Sequence, residues 1–282
     1  MFFKTLKYDL KNYFLISYKK YLIPLFLFPS IILIFDMLLK NSRVLNSSNA
    51  TVTDLGMYFF RGMGEYEVGN GNIFQFPSVW MLFNLLLFYF VLYYPFNDLM
   101  GYGRQVLLLT RSRGAWWLSK CVTTTVGVLV YFMIAYIEIT LYSLIAKIKF
   151  SAFVSAEAVS EIVELGTQDS NFSQLFMQEP MFIAVFVLPL LVAVALALLQ
   201  MLVSLLCKPF YSYILTITIL LVSAYYLSPF VIGNYAMTIR SDLVLSNGVN
   251  QNTGLIITFA TIIASVIAGY FVFQRYDILN KE

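Results

Sequence analysis

Residues 181–207, MFIAVFVLPLLVAVALALLQMLVSLLC, run for 27 positions without a charged side chain. About 20 consecutive apolar residues are enough for a helix to cross the hydrocarbon core of a bilayer. This stretch therefore predicts a transmembrane helix, and five more stretches satisfy the same criterion. The six predicted spans are Tyr21–Leu39, Ser78–Pro95, Cys121–Ala146, Met181–Cys207, Phe210–Val231 and Gly254–Phe273.

The composition agrees with a chain whose outer surface faces lipid. Hydrophobic residues make up 60% of the 282 positions and charged residues only 12%, whereas soluble domains carry about 25% charged residues. The apolar segments are distributed from end to end, so we expect one transmembrane domain over residues 1–282. The first apolar run lacks a small-residue cleavage site, which favours a permanent span over a secretory signal peptide.

The orientation follows from the basic residues that flank the spans. Twelve of the 18 Lys and Arg residues fall on the side that holds the N-terminus, residues 96–120, the turn at Lys208 and the C-terminal tail. The other side holds six basic and nine acidic residues. The sequence thus predicts an all-α membrane protein with six transmembrane helices and both termini in the cytoplasm.

Several classes of function are disfavoured by missing residues and motifs. The chain has no histidine, which removes the usual general base and the commonest metal ligand. Its two cysteines, Cys121 and Cys207, are too few for a zinc framework. A P-loop, a Gly-rich dinucleotide turn, HExxH and CxxC are all missing from the sequence. We expect no enzymatic activity, no cofactor or metal in this chain, and no nucleic-acid partner.

The segments between the spans have distinct characters. Residues 1–20 predict an amphipathic helix in the membrane interface, with an apolar face of Phe3, Leu6, Leu10, Tyr13 and Phe14 and its lysines toward anionic lipid. The outer loops are residues 40–77, 147–180 and 232–253. The second of these contains a short helical pattern in which Ala158, Val159, Ile162 and Val163 share one face.

Residues 97–120, NDLMGYGRQVLLLTRSRGAWWLSK, form the largest predicted cytoplasmic loop. Two glycines loosen the exit from the second span, and an apolar run follows them in a place where water is expected. An exposed apolar patch rimmed by arginine is typical of a docking surface. Trp116, Trp117 and Lys120 are expected to anchor the start of the third span at the interface, with the lysine snorkelling. A plain positive-inside loop with an aromatic belt is the simpler interpretation.

This loop resembles the coupling segment of the permease subunits of type 2 ABC exporters. The residues that carry the resemblance are the Gly-x-Gly, Arg-Ser-Arg and Trp-Trp-x-Ser-Lys elements of GYGRQVLLLTRSRGAWWLSK, residues 101–120. The layout of an interfacial helix followed by six spans is also similar. The coupling residues that the resemblance implies are Gly101, Tyr102, Gly103, Arg104, Gln105, Leu108, Arg111 and Arg113.

The resemblance also implies what surrounds the chain. A separate cytoplasmic ATPase subunit would bind ATP and Mg and dock on the loop, and two permease copies, identical or paralogous, would pair. The location would be the bacterial inner membrane, and the cargo would be exported, with a peptide favoured by the resemblance alone.

Three polar residues within the spans are candidates for a translocation path. Asp36 and Glu138 are the only acids inside the predicted spans, and Gln200 is a further polar side chain. Charges at such depth are costly and usually face the bundle interior. Asp36 lies four residues before Lys40, so a local ion pair also explains it. For Glu138, a translocation or interhelical role and a partly hydrated outer position both remain open.

Two other functions stay open at the level of sequence. A stand-alone ion-coupled secondary transporter usually needs several buried ionisable residues and often inverted repeats. A non-transport scaffold or immunity protein would tolerate substitution of Arg104, Leu108 and Arg111. An ABC permease would not tolerate those substitutions.

Overall fold

A computed structural model shows a helical bundle. It describes residues 2–42, 45–66, 74, 76–101, 103, 105, 107, 112–164 and 177–276. The helices are α1 Phe2–Ser17, α2 Leu22–Asn41, α3 Val52–Phe59, α4 Ser78–Met100, α5 Arg113–Ile145, α6 Ala156–Glu164, α7 Leu188–Leu206, α8 Pro209–Tyr225 and α9 Gln251–Gln274. Across these ranges the chain forms no β-strand beyond isolated bridges.

Within the described ranges five helices are long and apolar enough to cross a membrane, which confirms the helical architecture and supports a multi-pass membrane protein. They are α2, α4, α5, α9 and the continuous helix Ile183–Leu206, which opens with a π-helical turn and continues as α7. The remaining apolar helix, α8, has 17 residues. The sixth span and the orientation stay predictions.

Helix α7 lies at the centre of the bundle. It packs against α4, α5, α8 and α9. In the most apolar stretch of Ile183–Leu206, 67% of the residues are buried, against 17% in that of α9. Ala193, Ala195 and Ala197 are among its fully buried residues. Small side chains allow neighbouring helices to approach closely. Inside a membrane, where the hydrophobic effect does not drive helices together, this close packing stabilises their association.

The prediction that the fifth span extends to Val231 is wrong in its outer part, because α8 ends at Tyr225. The carbonyls that follow the helix accept from a side chain instead of from the amides of a further helical turn. Asn234 Nδ2 donates to the Tyr226 and Ser228 carbonyls at 3.0 and 2.8 Å. Pro229 follows and has no N–H to donate.

The N-terminal helix α1 forms as predicted, and the stripe that it packs on the bundle includes only Tyr13 of the predicted apolar face. The residues that it buries are Thr5, Asp9, Tyr13 and Ser17, spaced four apart on one stripe. Phe3, on the predicted apolar face, is 80% exposed. The stripe packs on α5, where the Asp9 carboxylate accepts from Ser119 and Lys120, and much of the apolar surface is left facing outward.

Parts of the three predicted outer loops meet at one end of the bundle. Helices α3 and α6 pack together, and the predicted apolar face of α6 is buried as expected. Asp54 joins them: its carboxylate accepts from the Thr51 amide at 2.7 Å and from the Ser155 amide at 2.9 Å. The third loop contacts the first, because the Thr238 amide donates to the Phe60 carbonyl at 3.1 Å.

Candidate functional site

Lys120 is the centre of a charge cluster inside the protein. Helix α5 begins at Arg113, eight residues before the predicted span, so Lys120 lies within a helix rather than at its edge. Its Nζ atom lies 2.7 Å from Asp9 Oδ1 and 2.6 Å from Asp98 Oδ2. We call Asp9, Asp98 and Lys120 the ion triad. Lys120 is 0% exposed, so the snorkelling predicted for it does not occur.

Aromatic rings complete the surroundings of the ammonium. The ring of Tyr94 lies 4.8 Å from Nζ and that of Trp116 lies 5.1 Å away. Cations are attracted to the faces of such rings, and more strongly when both are removed from water. The rings and the two carboxylates together account for the burial of a charge that would otherwise be too costly.

Asp9 connects the interfacial helix to the bundle through side chain and backbone. Ser119 Oγ donates to Asp9 Oδ2 at 2.5 Å, and the Tyr94 hydroxyl donates to the Asp9 carbonyl at 2.8 Å. Burial raises the pKa of the Asp9 carboxyl, although Lys120 and Ser119 act in the opposite direction. Helices α1, α4 and α5 are thereby joined at one point.

Asp98 connects the same cluster to the predicted coupling loop. It lies in the last turn of α4 and is 7% exposed. A β-carbon added at Gly103 would lie 1.8 Å from Asp98 Oδ2, whereas one at Gly101 would lie 3.1 Å from its nearest neighbour, the Asn97 carbonyl. Position 103 thus needs glycine because the loop backbone lies directly on a buried carboxylate.

The remaining coupling residues are divided between described and undescribed positions. Tyr102, Arg104, Leu108 and Arg111 lie outside the described residues. Gln105 is exposed, while the neighbouring Leu107 is 3% exposed. Leu107, which belongs to the apolar run expected in water, is therefore buried, whereas Gln105 faces outward.

Arg113 has a structural partner at the opposite end of the chain. Its Nη1 atom donates to the carbonyls of Gln274 and Tyr276 at 2.6 and 3.0 Å. The last carbonyls of a helix lack intrahelical partners and attract positive charge. Arg113 thus stabilises the C-terminus of α9, which is a role that the loop motif alone did not predict.

The two tryptophans pack inside the protein rather than in an exposed belt. Trp116 stacks on Phe273 with ring centroids 4.5 Å apart, and Trp117 Nε1 donates to the Val266 carbonyl at 2.9 Å. A β-carbon at Gly269 would lie 1.9 Å from the Trp117 ring. Both tryptophans are at most 2% exposed, so they anchor α5 to α9, which differs from the predicted role as interface anchors.

The three candidates for a translocation path occupy separate settings. Asp36 pairs with Lys40 at 2.5 Å, as the local explanation predicts, and also accepts from the Tyr142 hydroxyl at 2.8 Å. Gln200 Nε2 donates to the Phe88 carbonyl at 3.1 Å, joining α7 to α4. Within the described ranges Glu138 Oε2 is buried and has no hydrogen-bond partner.

Sequence reasoning missed Arg240, which is fully buried in the outer loops. Its guanidinium is held almost entirely by carbonyl oxygens. The acceptors are the carbonyls of Met63, Gly64, Ser223, Ala224 and Tyr226 and the side-chain oxygen of Asn234. Burial lowers the pKa of Arg240 to about 10, with the charge of Glu65 acting against the shift.

The ion triad is arranged to hold several helices in fixed relative positions. Two carboxylates around one ammonium fix three helices and one loop by charge-assisted bonds. Comparisons with known protein families, with curated proteins and with solved structures found no match for this chain. The function is therefore inferred from the site itself and from the likeness of the loop.

Proposed function

We propose that this chain is the membrane-spanning permease subunit of an ATP-binding-cassette exporter, which couples ATP hydrolysis by a partner ATPase to export of a substrate. The observation that carries the proposal is the contact between Gly103, at the start of the predicted coupling loop, and the buried carboxylate of Asp98. A cytoplasmic loop that rests on a buried ion cluster is arranged to transmit force into the bundle.

The path of that force runs through the ion triad. Displacement of the loop at Gly103 displaces Asp98 at the end of α4, and the ion pairs of Lys120 carry the movement to α5 and, through Asp9, to α1. Buried charge pairs resist separation because an uncompensated charge in the interior costs several kcal/mol. The helices therefore shift together rather than letting the loop slip.

The partners follow from the resemblance of residues 101–120. The ATPase subunit holds ATP and Mg and docks on the loop, and a second permease copy completes the translocation path. Helix α9 offers outward-facing apolar surface for lipid or for that copy, since Ile256, Phe259 and Ile263 are each more than half exposed. A peptide is the favoured cargo.

Reconstitution tests the proposal. The full chain is expressed together with its cognate ATPase, purified in mild detergent and placed in nanodiscs, and ATP hydrolysis is measured. We expect hydrolysis to rise above that of the ATPase alone. Arg104→Ala combined with Arg111→Ala should abolish the increase while the melting temperature of the permease stays unchanged. Unchanged stimulation in that variant would remove the loop from the mechanism.

A stand-alone ion-coupled transporter is the second candidate, and Glu138 favours it. A buried carboxylate oxygen without a partner in the described ranges is typical of a proton or cation relay within a membrane bundle. If Glu138 serves the exporter, Glu138→Gln should leave assembly with the ATPase intact and lower transport. Transport that follows an ion gradient in the absence of any ATPase would favour the second candidate instead.

A further inference from the structure

A small polar cavity lies between the N-terminal helix and the end of α4. Its volume is about 290 Å³, and residues from α1, from the turn after it and from α4 line it. The lining residues are Tyr8, Asn12, Ile16, Ser17, Lys20, Tyr93, Tyr94, Asn97 and Asp98. Hydroxyl, amide, ammonium and carboxylate groups thus surround one space, which is too small for a large ligand but sufficient for a small charged group.

Lys20 supplies a cation without a carboxylate partner. Within the described ranges it forms no salt bridge, and its ammonium lies 5.7 Å from the ring centroid of Tyr89. Burial lowers the pKa of Lys20, because the charged form loses water. An anion beside Lys20 would stabilise the charged form of its ammonium.

Asp98 supplies the opposite charge in the lining of the same cavity. One of its oxygens already faces Lys120, and the residue also contributes to the cavity surface. A ligand that carried only negative charge would gain at Lys20 and lose at Asp98. A ligand with one phosphate and one ammonium group, separated by a short linker, matches both charges in the lining.

The surroundings of the cavity indicate a lipid as the source of that ligand. Ile16, which lines the cavity, is 61% exposed, and its neighbours Leu15 and Tyr18 are 63% and 56% exposed. These side chains continue into the exposed start of α2, where Leu22 is 49% exposed. An apolar rim beside a charged cavity suits a molecule whose headgroup enters the cavity while its acyl chains remain in the bilayer.

From these observations we infer that the cavity between α1 and α4 binds the headgroup of a zwitterionic phospholipid bearing a primary amine. Lys20 contacts the phosphate, and Asp98 accepts from the ammonium. The assignment does not depend on the exporter proposal. It adds the lipid amine as a fourth charged group at the ion triad, because the amine contacts the carboxylate that also faces Lys120.

Lipid retention measures the binding directly. The full chain is purified in mild detergent, exchanged into bicelles that contain equal amounts of phosphatidylethanolamine, phosphatidylcholine and phosphatidylglycerol, and analysed by native mass spectrometry. We expect phosphatidylethanolamine to be retained several-fold over both others. The quaternary ammonium of phosphatidylcholine has no N–H to donate, and phosphatidylglycerol has no cation for Asp98.

Lys20→Met should reduce this retention about tenfold, which is the size expected for one charge-assisted hydrogen bond. Lys19→Met is the matched control, since Lys19 is exposed and does not line the cavity, and its retention should equal that of the unaltered chain. Equal retention of the three lipids by the unaltered chain, or unchanged retention in Lys20→Met, would overturn the inference. Displacement of the lipid by millimolar inorganic phosphate would assign the site to free phosphate instead.

Discussion

The ammonium of Lys120 reaches the carboxylate of Asp98 across the beginning of the loop that joins α4 to α5, with 2.6 Å between Nζ and Oδ2. Neither side chain is more than 3% exposed. The two residues therefore fix the position of the end of α4 relative to the first turns of α5. Asp9 extends the same contact to α1.

Lys120→Met tests the ion triad as a structural joint. The substitution leaves two buried carboxylates without a counter-charge, and removing one partner of a buried pair costs about 3–5 kcal/mol. We expect a large fall in the melting temperature of the purified chain. Lys11→Met, at an exposed position of α1, should change it little.

The triple variant Asp9→Asn, Asp98→Asn, Lys120→Met separates lost charge balance from lost packing. Because it removes all three charges together, it should be more stable than Lys120→Met alone. Equal instability of the two variants would show that the carboxylates carry no uncompensated charge in Lys120→Met.

Gly103→Ala tests the contact between the loop and Asp98. The added β-carbon would lie 1.8 Å from a carboxylate oxygen, so the loop or the ion pair must move. Gly101→Ala is the control, since its β-carbon would meet its nearest neighbour at 3.1 Å. We expect Gly103→Ala to lower thermal stability distinctly more than Gly101→Ala, and similar effects would argue against the contact.

Arg240→Met tests how the outer loops are held together. Six oxygen acceptors lose the guanidinium. The Tyr226 carbonyl keeps Asn234 as a donor, but each buried acceptor left unpaired costs about 1–3 kcal/mol. The variant should unfold at much lower denaturant concentration or fail to accumulate. Arg61→Met removes a cation that faces the Tyr58 ring, 5.3 Å away, and that forms no salt bridge within the described ranges, so it should be nearly neutral.

Asp54 gives a prediction about pH. Burial raises its pKa from 3.8 to about 6 in the folded chain, so the folded state holds a proton that the unfolded state releases. This contribution to stability is fully present below about pH 4 and is lost as the pH rises through about 6. At about 1.4 kcal/mol per pKa unit, the loss approaches about 3 kcal/mol.

The measurement is the melting temperature between pH 4 and pH 7 for the unaltered chain and for Asp54→Asn. The asparagine variant cannot titrate at this position, so its stability should fall less over that interval. Parallel profiles in the two proteins would show that Asp54 does not titrate there.

Hydropathy predicted the long helices well and their polar attachments poorly. The stretch from Met181 to Cys207 is apolar enough to identify the central helix from composition alone. The packing of α1 was not readable, because the stripe that meets the bundle contains Thr5, Asp9 and Ser17. Its burial depends on Lys120, 111 residues away along the chain.

The candidate site shows the same division. The glycines of residues 101–103 and the basic residues after them were visible as a motif. The need for glycine at position 103 was not, because it depends on Asp98, a carboxylate that hydropathy places in an ordinary loop. Asp98 and Arg240 carried no local signal, since each acquires its partners from other segments. Trp116 and Lys120 resembled interface residues because the same residue types occur next to lipid headgroups and in a buried contact with each other.

The central claim is that a partner ATPase acts through residues 97–120. The most direct measurement is ATP hydrolysis by the full chain affinity-purified from its native membrane in mild detergent, compared with a matched preparation of the Arg104→Ala, Arg111→Ala variant. The account predicts hydrolysis in the first preparation, with an ATPase subunit present in equal amount, and its loss in the second while the permease stays folded. Absence of ATP hydrolysis from the first preparation, or equal hydrolysis in both, would contradict it.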